Sequence, residues 1–245
     1  MKIRRRLWTW LIGVVAVLSV AAAGANLWVE GQYPYGEAAA AALVTDAAVT
    51  VEQTDDAIAF IPDSPVSGFI FYPGGLVPAQ AYAPLMQALA EEGVLCVVPV
   101  MPFRLAVLDM DAADGIASQH PDVTRWAIGG HSLGGAMAAS YAAGHGEDFS
   151  ALVLLAAYST AELPEDLSVA SIYGDADGVM NREKYAKYRP NLPENAVELI
   201  IPGGNHAQFG DYGSQKGDGA ATIPPDEQIR QTVKIILPLL TGNTP

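Results

Sequence analysis

Trp126-Ala127-Ile128-Gly129-Gly130-His131-Ser132-Leu133-Gly134-Gly135, followed by an alanine-rich run over residues 136–143, is the stretch on which the fold turns. Residues 126–129 are a short apolar run of the kind that forms a buried strand, and the residues from 132 onward suit a helix. Between them lies a G-x-S-x-G pattern over residues 130–134. A nucleophile held at the tip of a strained strand-to-helix turn needs small flanking residues, because the backbone must pack tightly there. It also sits at a helix N-terminus, where unpaired N–H groups stabilise developing negative charge. The plain alternative is a glycine turn in which Ser132 serves only as a helix N-cap. The strand before and the helix after favour Ser132 as a nucleophile.

Outward from this turn, short apolar runs alternate with amphipathic segments. Residues 49–53 and 57–61 flank Thr54-Asp55-Asp56 as a hairpin. Strands are expected over 69–72, 95–98, 126–129, 151–156, 169–173 and 197–201. Helices are expected over 82–92, 106–119, 132–143, 182–188 and 226–240. The apolar runs are continuous rather than alternating, which implies strands covered on both sides. The expected fold is a three-layer αβα sandwich around a mainly parallel sheet of about eight strands. Ligands in such sheets bind beyond the carboxyl ends of the strands, so the segments after Tyr72, Gly129, Tyr173 and Ile201 matter most.

A serine hydroxyl needs a base, and the chain has four histidines. His131 lies in the turn itself and is expected to point away from the serine. His120 precedes a proline in a helix-ending segment. His145 lies at the far end of the helix that begins at Ser132, roughly 18 Å away. His206, in Pro202-Gly203-Gly204-Asn205-His206, follows the last strand on the correct side of the sheet. Gly174-Asp175-Ala176-Asp177 follows the preceding strand, and either aspartate could orient the base while the other shapes the turn. The order Ser, Asp, His accompanies this kind of turn.

These motifs resemble the α/β-hydrolase superfamily, and within it the small, capless dienelactone-hydrolase-like group. The resemblance covers roughly residues 66–240. It implies that the acid is Asp177, the fourth residue of the Gly174 segment, and that His206 is the base. It also implies two oxyanion donors, the N–H groups of Gly75 and Leu133, with Leu76 as the neighbouring alternative to Gly75. The family's usual histidine is absent from the Pro73-Gly74-Gly75 turn, but a backbone donor does not depend on it. The stretch from 157 to 169 is too short for an inserted cap, so the site should be open to water. The Gly-rich loop 209–222 either contributes to substrate binding or is a plain surface loop.

The chain has 245 residues, 51% of them hydrophobic, enough for one core spanning residues 49–245. Its net charge of −14 disfavours nucleic acid as a partner. The lone cysteine, Cys96, falls in an apolar strand and reads as a small buried hydrophobe. No metal cluster or phosphate-binding loop stands out, so no cofactor is expected. Residues 1–29 begin Met1-Lys2-Ile3-Arg4-Arg5-Arg6 and continue as an uncharged stretch to Val29. As a helix this stretch would reach roughly 34 Å, against a bilayer core of ~30 Å. Trp8 and Trp10 lie at one end and Trp28 at the other, as interfacial aromatics do. The segment reads as a signal anchor, or as a signal peptide cut near Ala23-Gly24-Ala25. Either places the body outside the cytoplasm, membrane-anchored or secreted. Residues 30–48 read as a linker containing a short alanine-rich helix.

The activity this implies is hydrolysis of a small-molecule carboxylic ester through an acyl-enzyme. An acyltransferase or thioesterase would use the same three residues. A non-catalytic, membrane-tethered binding domain on the same scaffold is the third reading.

Overall fold

Successive side chains of a strand point to opposite faces, and the central strands here are apolar on both. In Phe69-Ile70-Phe71-Tyr72, the two phenylalanines enter one core cluster, while Ile70 and Tyr72 enter another on the opposite face. The computed structural model describes residues 31–242, together with Val14, Val15, Ala21, Gly24, Leu27, Trp28 and Val29.

Eight strands form one sheet: β1 (Val49–Gln53), β2 (Ala57–Pro62), β3 (Ser67–Tyr72), β4 (Val94–Pro99), β5 (Trp126–His131), β6 (Ala151–Leu155), β7 (Ser168–Gly174) and β8 (Val197–Ile201). Their order is β1-β2-β4-β3-β5-β6-β7-β8. β1 pairs antiparallel with β2, and β2 antiparallel with β4; all other pairings are parallel. β3, β4, β5 and β6 are buried along their whole length, because helices cover both faces.

Within residues 31–242, six α-helices accompany the sheet: α1 (Glu37–Ala42), α2 (Ala83–Glu91), α3 (Ile116–Gln119), α4 (Leu133–Gly144), α5 (Arg182–Tyr188) and α6 (Pro225–Thr241). Leu85, Met86 and Leu89 of α2 and Ile236 and Leu240 of α6 pack with Phe69, Phe71 and Val98 on one face. Ala138, Ala139 and Ala142 of α4 pack with Ile70, Ile128 and Leu152 on the other. Small side chains on α4 let it lie close against β5. The three-layer αβα sandwich is therefore present as expected. Cys96 is fully buried among these side chains, and burial pushes its thiol pKa up.

One expected element is corrected. Residues 106–119 are not a helix: 106–108 form a single 3₁₀ turn, and only α3 at the end is helical. Asp109, Asp111 and Asp114 favour turns over helix interiors, and Gly115 takes a left-handed φ of 75°. Tertiary bonds hold the irregular path. The buried Tyr72 hydroxyl donates to Met110 O at 2.8 Å and accepts from Ala113 N–H at 2.9 Å, and the Tyr141 hydroxyl bonds Asp114.

The segment 30–48 contains α1 and is tied to the body. Gly36 N–H donates to Asp211 O at 2.9 Å and Ala39 N–H to the Asp211 carboxylate at 2.8 Å. The expected membrane or signal segment, residues 1–29, lies largely outside the described residues. Among the described residues, no helix is long and apolar enough to cross a membrane.

Candidate active site

The turn after β5 is held in a conformation that side chains rarely adopt. Ser132 has φ 53° and ψ −120°, which costs about 1–3 kcal/mol of local strain. Close backbone approach enforces it. A Cβ on Gly134 would lie 2.2 Å from the carbonyl oxygens of Tyr72 and Pro73, and one on Gly130 would lie 2.6 Å from Tyr72 O. Ser132 N–H donates to Leu155 O at the tip of β6, at 2.9 Å. The serine hydroxyl caps none of the N–H groups of α4, so the bland N-cap role is not what the side chain performs.

β7 and β8 end side by side and bring Asp177 and His206 together. His206 Nδ1 lies 2.8 Å from Asp177 Oδ2, and both side chains are buried. Asp177 Oδ1 accepts the N–H groups of Val179 and Met180, each at 2.8 Å. Burial alone would raise the Asp177 pKa. The hydrogen bond and positive charge offered by His206, with the two backbone donors, outweigh it and hold the carboxyl below its ordinary value. The other ring nitrogen, His206 Nε2, is buried with no hydrogen-bond partner among the described atoms. The His206 ring centroid is 4.4 Å from that of His131, the residue that precedes Ser132.

Asp175 has a different task. Its carboxylate accepts Gly203 N–H at 2.8 Å and so ties the β7 loop to the β8 loop. His145 stacks on Tyr141 and His120 meets Trp126 at a tilt, neither in this cluster. His131 is in the core rather than the cleft. Its Nδ1 lies 2.8 Å from the Tyr82 hydroxyl, which also accepts Gly74 N–H at 2.9 Å. Tyr82 and His131 are thus two links of one buried hydrogen-bonded chain. Burial, and then repulsion from His206, push the His131 pKa well below its ordinary value.

This Gly74–Tyr82–His131 chain ties the loop after β3 to the serine turn. Gly75 follows directly, and a side chain there would meet Leu133 at 3.1 Å. Leu133 is the first residue of α4, so its N–H has no partner within the helix. Leu76, the alternative donor, already gives its N–H to Arg104 O at 2.8 Å, from a left-handed φ of 65°. Gly75 and Leu133 thus lie side by side at the serine turn.

Asp218 was not visible as a site residue in the sequence. It reaches from the 209–222 loop and accepts His206 N–H at 3.2 Å, Ala207 N–H at 2.9 Å, Gly178 N–H at 3.1 Å and its neighbour Gly219 N–H at 2.9 Å. One carboxylate thereby clamps the loop bearing Asp177 to the loop bearing His206. The sequence signal is faint: an aspartate between Gly217 and Gly219, a dozen residues after the base. Phe209 and Tyr212 anchor the start of the loop in the core, while Gly213, Ser214, Lys216 and Gly217 beyond them are exposed.

Beside Ser132 lies an open cleft of about 210 Å³, lined by Leu133, Ala136, Ala156, Ala157, Tyr158, Val179, Met180 and Asn181. The chain between β6 and β7 closes without an inserted helix. Among the described residues, no group of three His, Cys, Asp or Glu side chains could hold a metal ion.

A family model described as the alpha/beta hydrolase family matches residues 68–230. Among solved structures, the TT1662 protein of Thermus thermophilus aligns with a TM-score of 0.57 at 15% identity, covering 78% of this chain and 98% of its own. Est1E from Butyrivibrio proteoclasticus aligns at 0.56 and 14% identity, covering 79% and 99%. A dienelactone hydrolase candidate from Klebsiella pneumoniae subsp. pneumoniae MGH 78578 aligns at 0.56 and 19% identity, covering 78% and 98%. These likenesses establish a shared fold. No curated protein matches the sequence.

Proposed function

Because this chain belongs to the alpha/beta hydrolase family, we propose that it is a serine hydrolase that cleaves carboxylic esters through an acyl-enzyme on Ser132. The observation that carries this reading is the buried Asp177–His206 pair at 2.8 Å, whose other ring nitrogen, His206 Nε2, has no partner among the described atoms, with the His206 ring 4.4 Å from that of His131, the residue before Ser132. Such a pair is arranged to accept a proton and to keep the resulting imidazolium oriented.

In the acylation step, His206 Nε2 takes the Ser132 Oγ proton as Oγ bonds to the ester carbonyl carbon. The carbonyl oxygen becomes an oxyanion beside the Gly75 and Leu133 N–H groups. On collapse, the bond to the leaving alkoxide breaks and His206 returns the proton to it. Water then attacks the acyl-enzyme, His206 again taking the proton, and the acid leaves as Ser132 Oγ is reprotonated. Asp177 stays ionised throughout. The cleft is smaller than the ~300–1,000 Å³ pockets that enclose drug-sized ligands, which suits short acyl groups. The body is proposed to work outside the cytoplasm, held by or released from the N-terminal segment.

The test is Ser132→Ala. It should abolish labelling by a fluorophosphonate and lower p-nitrophenyl acetate kcat on the order of 10⁶-fold. Labelling that persists in the variant sinks the assignment.

A further inference from the structure

We infer that the rim formed by residues 100–110 rests on a lipid bilayer, and that the substrate is a short-chain acyl ester of an amphiphile held there. The inference rests on the serine hydrolase reading and on residues 7–29 as a membrane segment. It follows from where that stretch joins the body. Arg104 Nη1 donates to Val29 O at 3.2 Å and to Tyr33 O at 3.4 Å, and the Tyr33 ring meets the buried Tyr212 edge-on at 5.4 Å. With the Asp211 bonds to Gly36 and Ala39, these contacts fix the end of the apolar stretch at the carboxyl edge of the sheet, which is the edge that carries Ser132. Arg104 also accepts Leu76 N–H, so the attachment point is one residue away from the loop bearing Gly75.

The same edge displays apolar side chains to solvent. Val107 and Leu108 are 55% and 56% exposed, and Val100 and Met110 about as much as each other at 39% and 40%. Leu27 and Trp28, just before the attachment point, are also exposed. A single exposed aliphatic needs no explanation, but a group of them beside a site marks a contact surface. The small cleft beside Ser132 takes a short acyl group, which leaves the apolar portion of the ester on the rim and in the lipid.

The experiment uses the full chain reconstituted in phosphatidylcholine vesicles. Acetate release is measured from hexadecyl acetate dissolved in those vesicles and, separately, from p-nitrophenyl acetate in solution. Neither Val107 nor Leu108 lines the cleft. The double variant Val107→Asp, Leu108→Asp should lose at least about tenfold of the hexadecyl acetate rate, because charged groups do not replace aliphatic burial in lipid. Its p-nitrophenyl acetate rate should stay within about twofold of the parent, a change too small to signal lost folding. An unchanged ratio of the two rates, or parent protein active only on the soluble ester, overturns the inference and leaves the serine hydrolase reading standing. A parallel loss of both rates assigns the rim to the fold and also overturns it. Dimerisation in detergent that the substitutions abolish would assign the rim to a second copy instead. Parent protein inert toward both esters and toward fluorophosphonate ends both readings.

Discussion

At Asp177 the two carboxylate oxygens have separate tasks: Oδ1 holds two backbone N–H groups and Oδ2 holds His206. An amide cannot do both, so Asp177→Asn must turn its NH₂ toward either the backbone donors or the imidazole. It should lower kcat by about 10⁴-fold, as loss of the orienting acid does in other serine triads. Asp175→Asn keeps an oxygen for Gly203 N–H and should leave kcat near that of the parent. Steady-state kinetics of the two variants separate the roles, and equal losses would contradict them. Asp218 acts through its neighbours. Asp218→Ala strands four N–H groups, of which each buried one costs about 1–3 kcal/mol. The expected result is a lower kcat with little change in KM, and partial rescue by Asp218→Asn, which can retain the Oδ1 bonds but loses the Oδ2 bond to Ala207. A loss of melting temperature alone, with kcat intact, would make Asp218 a purely structural residue.

At the scale of elements, the loop after β3 is the least self-sufficient part of the site. It carries Gly75, yet its position depends on Tyr82 at the head of α2 and on His131 at the end of β5. Tyr82→Phe would leave Gly74 N–H and His131 Nδ1 buried without partners, a cost of about 1–3 kcal/mol for each group left unpaired. The variant should unfold at lower urea concentration. It should also lose kcat more than KM, because a drifting Gly75 donor weakens transition-state binding rather than ground-state binding. An unchanged kcat would show that the loop holds its place without the tyrosine. The misread element, 106–119, belongs to this scale too. Its sequence suggested a helix, but its path is set by Tyr72 and Tyr141 reaching across from the sheet and α4, and no local pattern records those contacts.

For the whole molecule, the buried histidine ties stability to pH. Burial and the neighbouring His206 hold the His131 pKa well below its ordinary value near 6.5. As pH falls below that value, the unfolded chain takes up a proton that the folded chain refuses, so stability falls. Asp177 acts in a lower window: its depressed pKa stabilises the fold above about pH 3.8, and that contribution is lost on further acidification. Tm should therefore drop between pH 7 and pH 5. His131→Asn, whose oxygen can still accept from Tyr82, should show a shallower drop. Parallel curves for the parent and the variant would remove His131 as the cause.

The sequence by itself determined the layers and the ends of the strands. Apolar runs such as 69–72 and 126–129 can be buried only between two covering faces, and Gly130 and Gly134 mark a turn too tight for side chains. It also determined the candidates Ser132 and His206, because strand ends are local and the parallel order puts them on one edge. What only the tertiary structure decided was partnership across distance. Asp175 and Asp177 are the same residue type two positions apart, and the path of the turn sends one carboxylate to Gly203 and the other to His206. Asp218 and Tyr82 do their work through hydrogen bonds to backbone far away in the chain, and such bonds leave no periodicity in the sequence. The attachment of residues 29–36 beside the site was equally invisible, since it depends on Arg104 and Asp211 meeting carbonyl and N–H groups that any residue could supply.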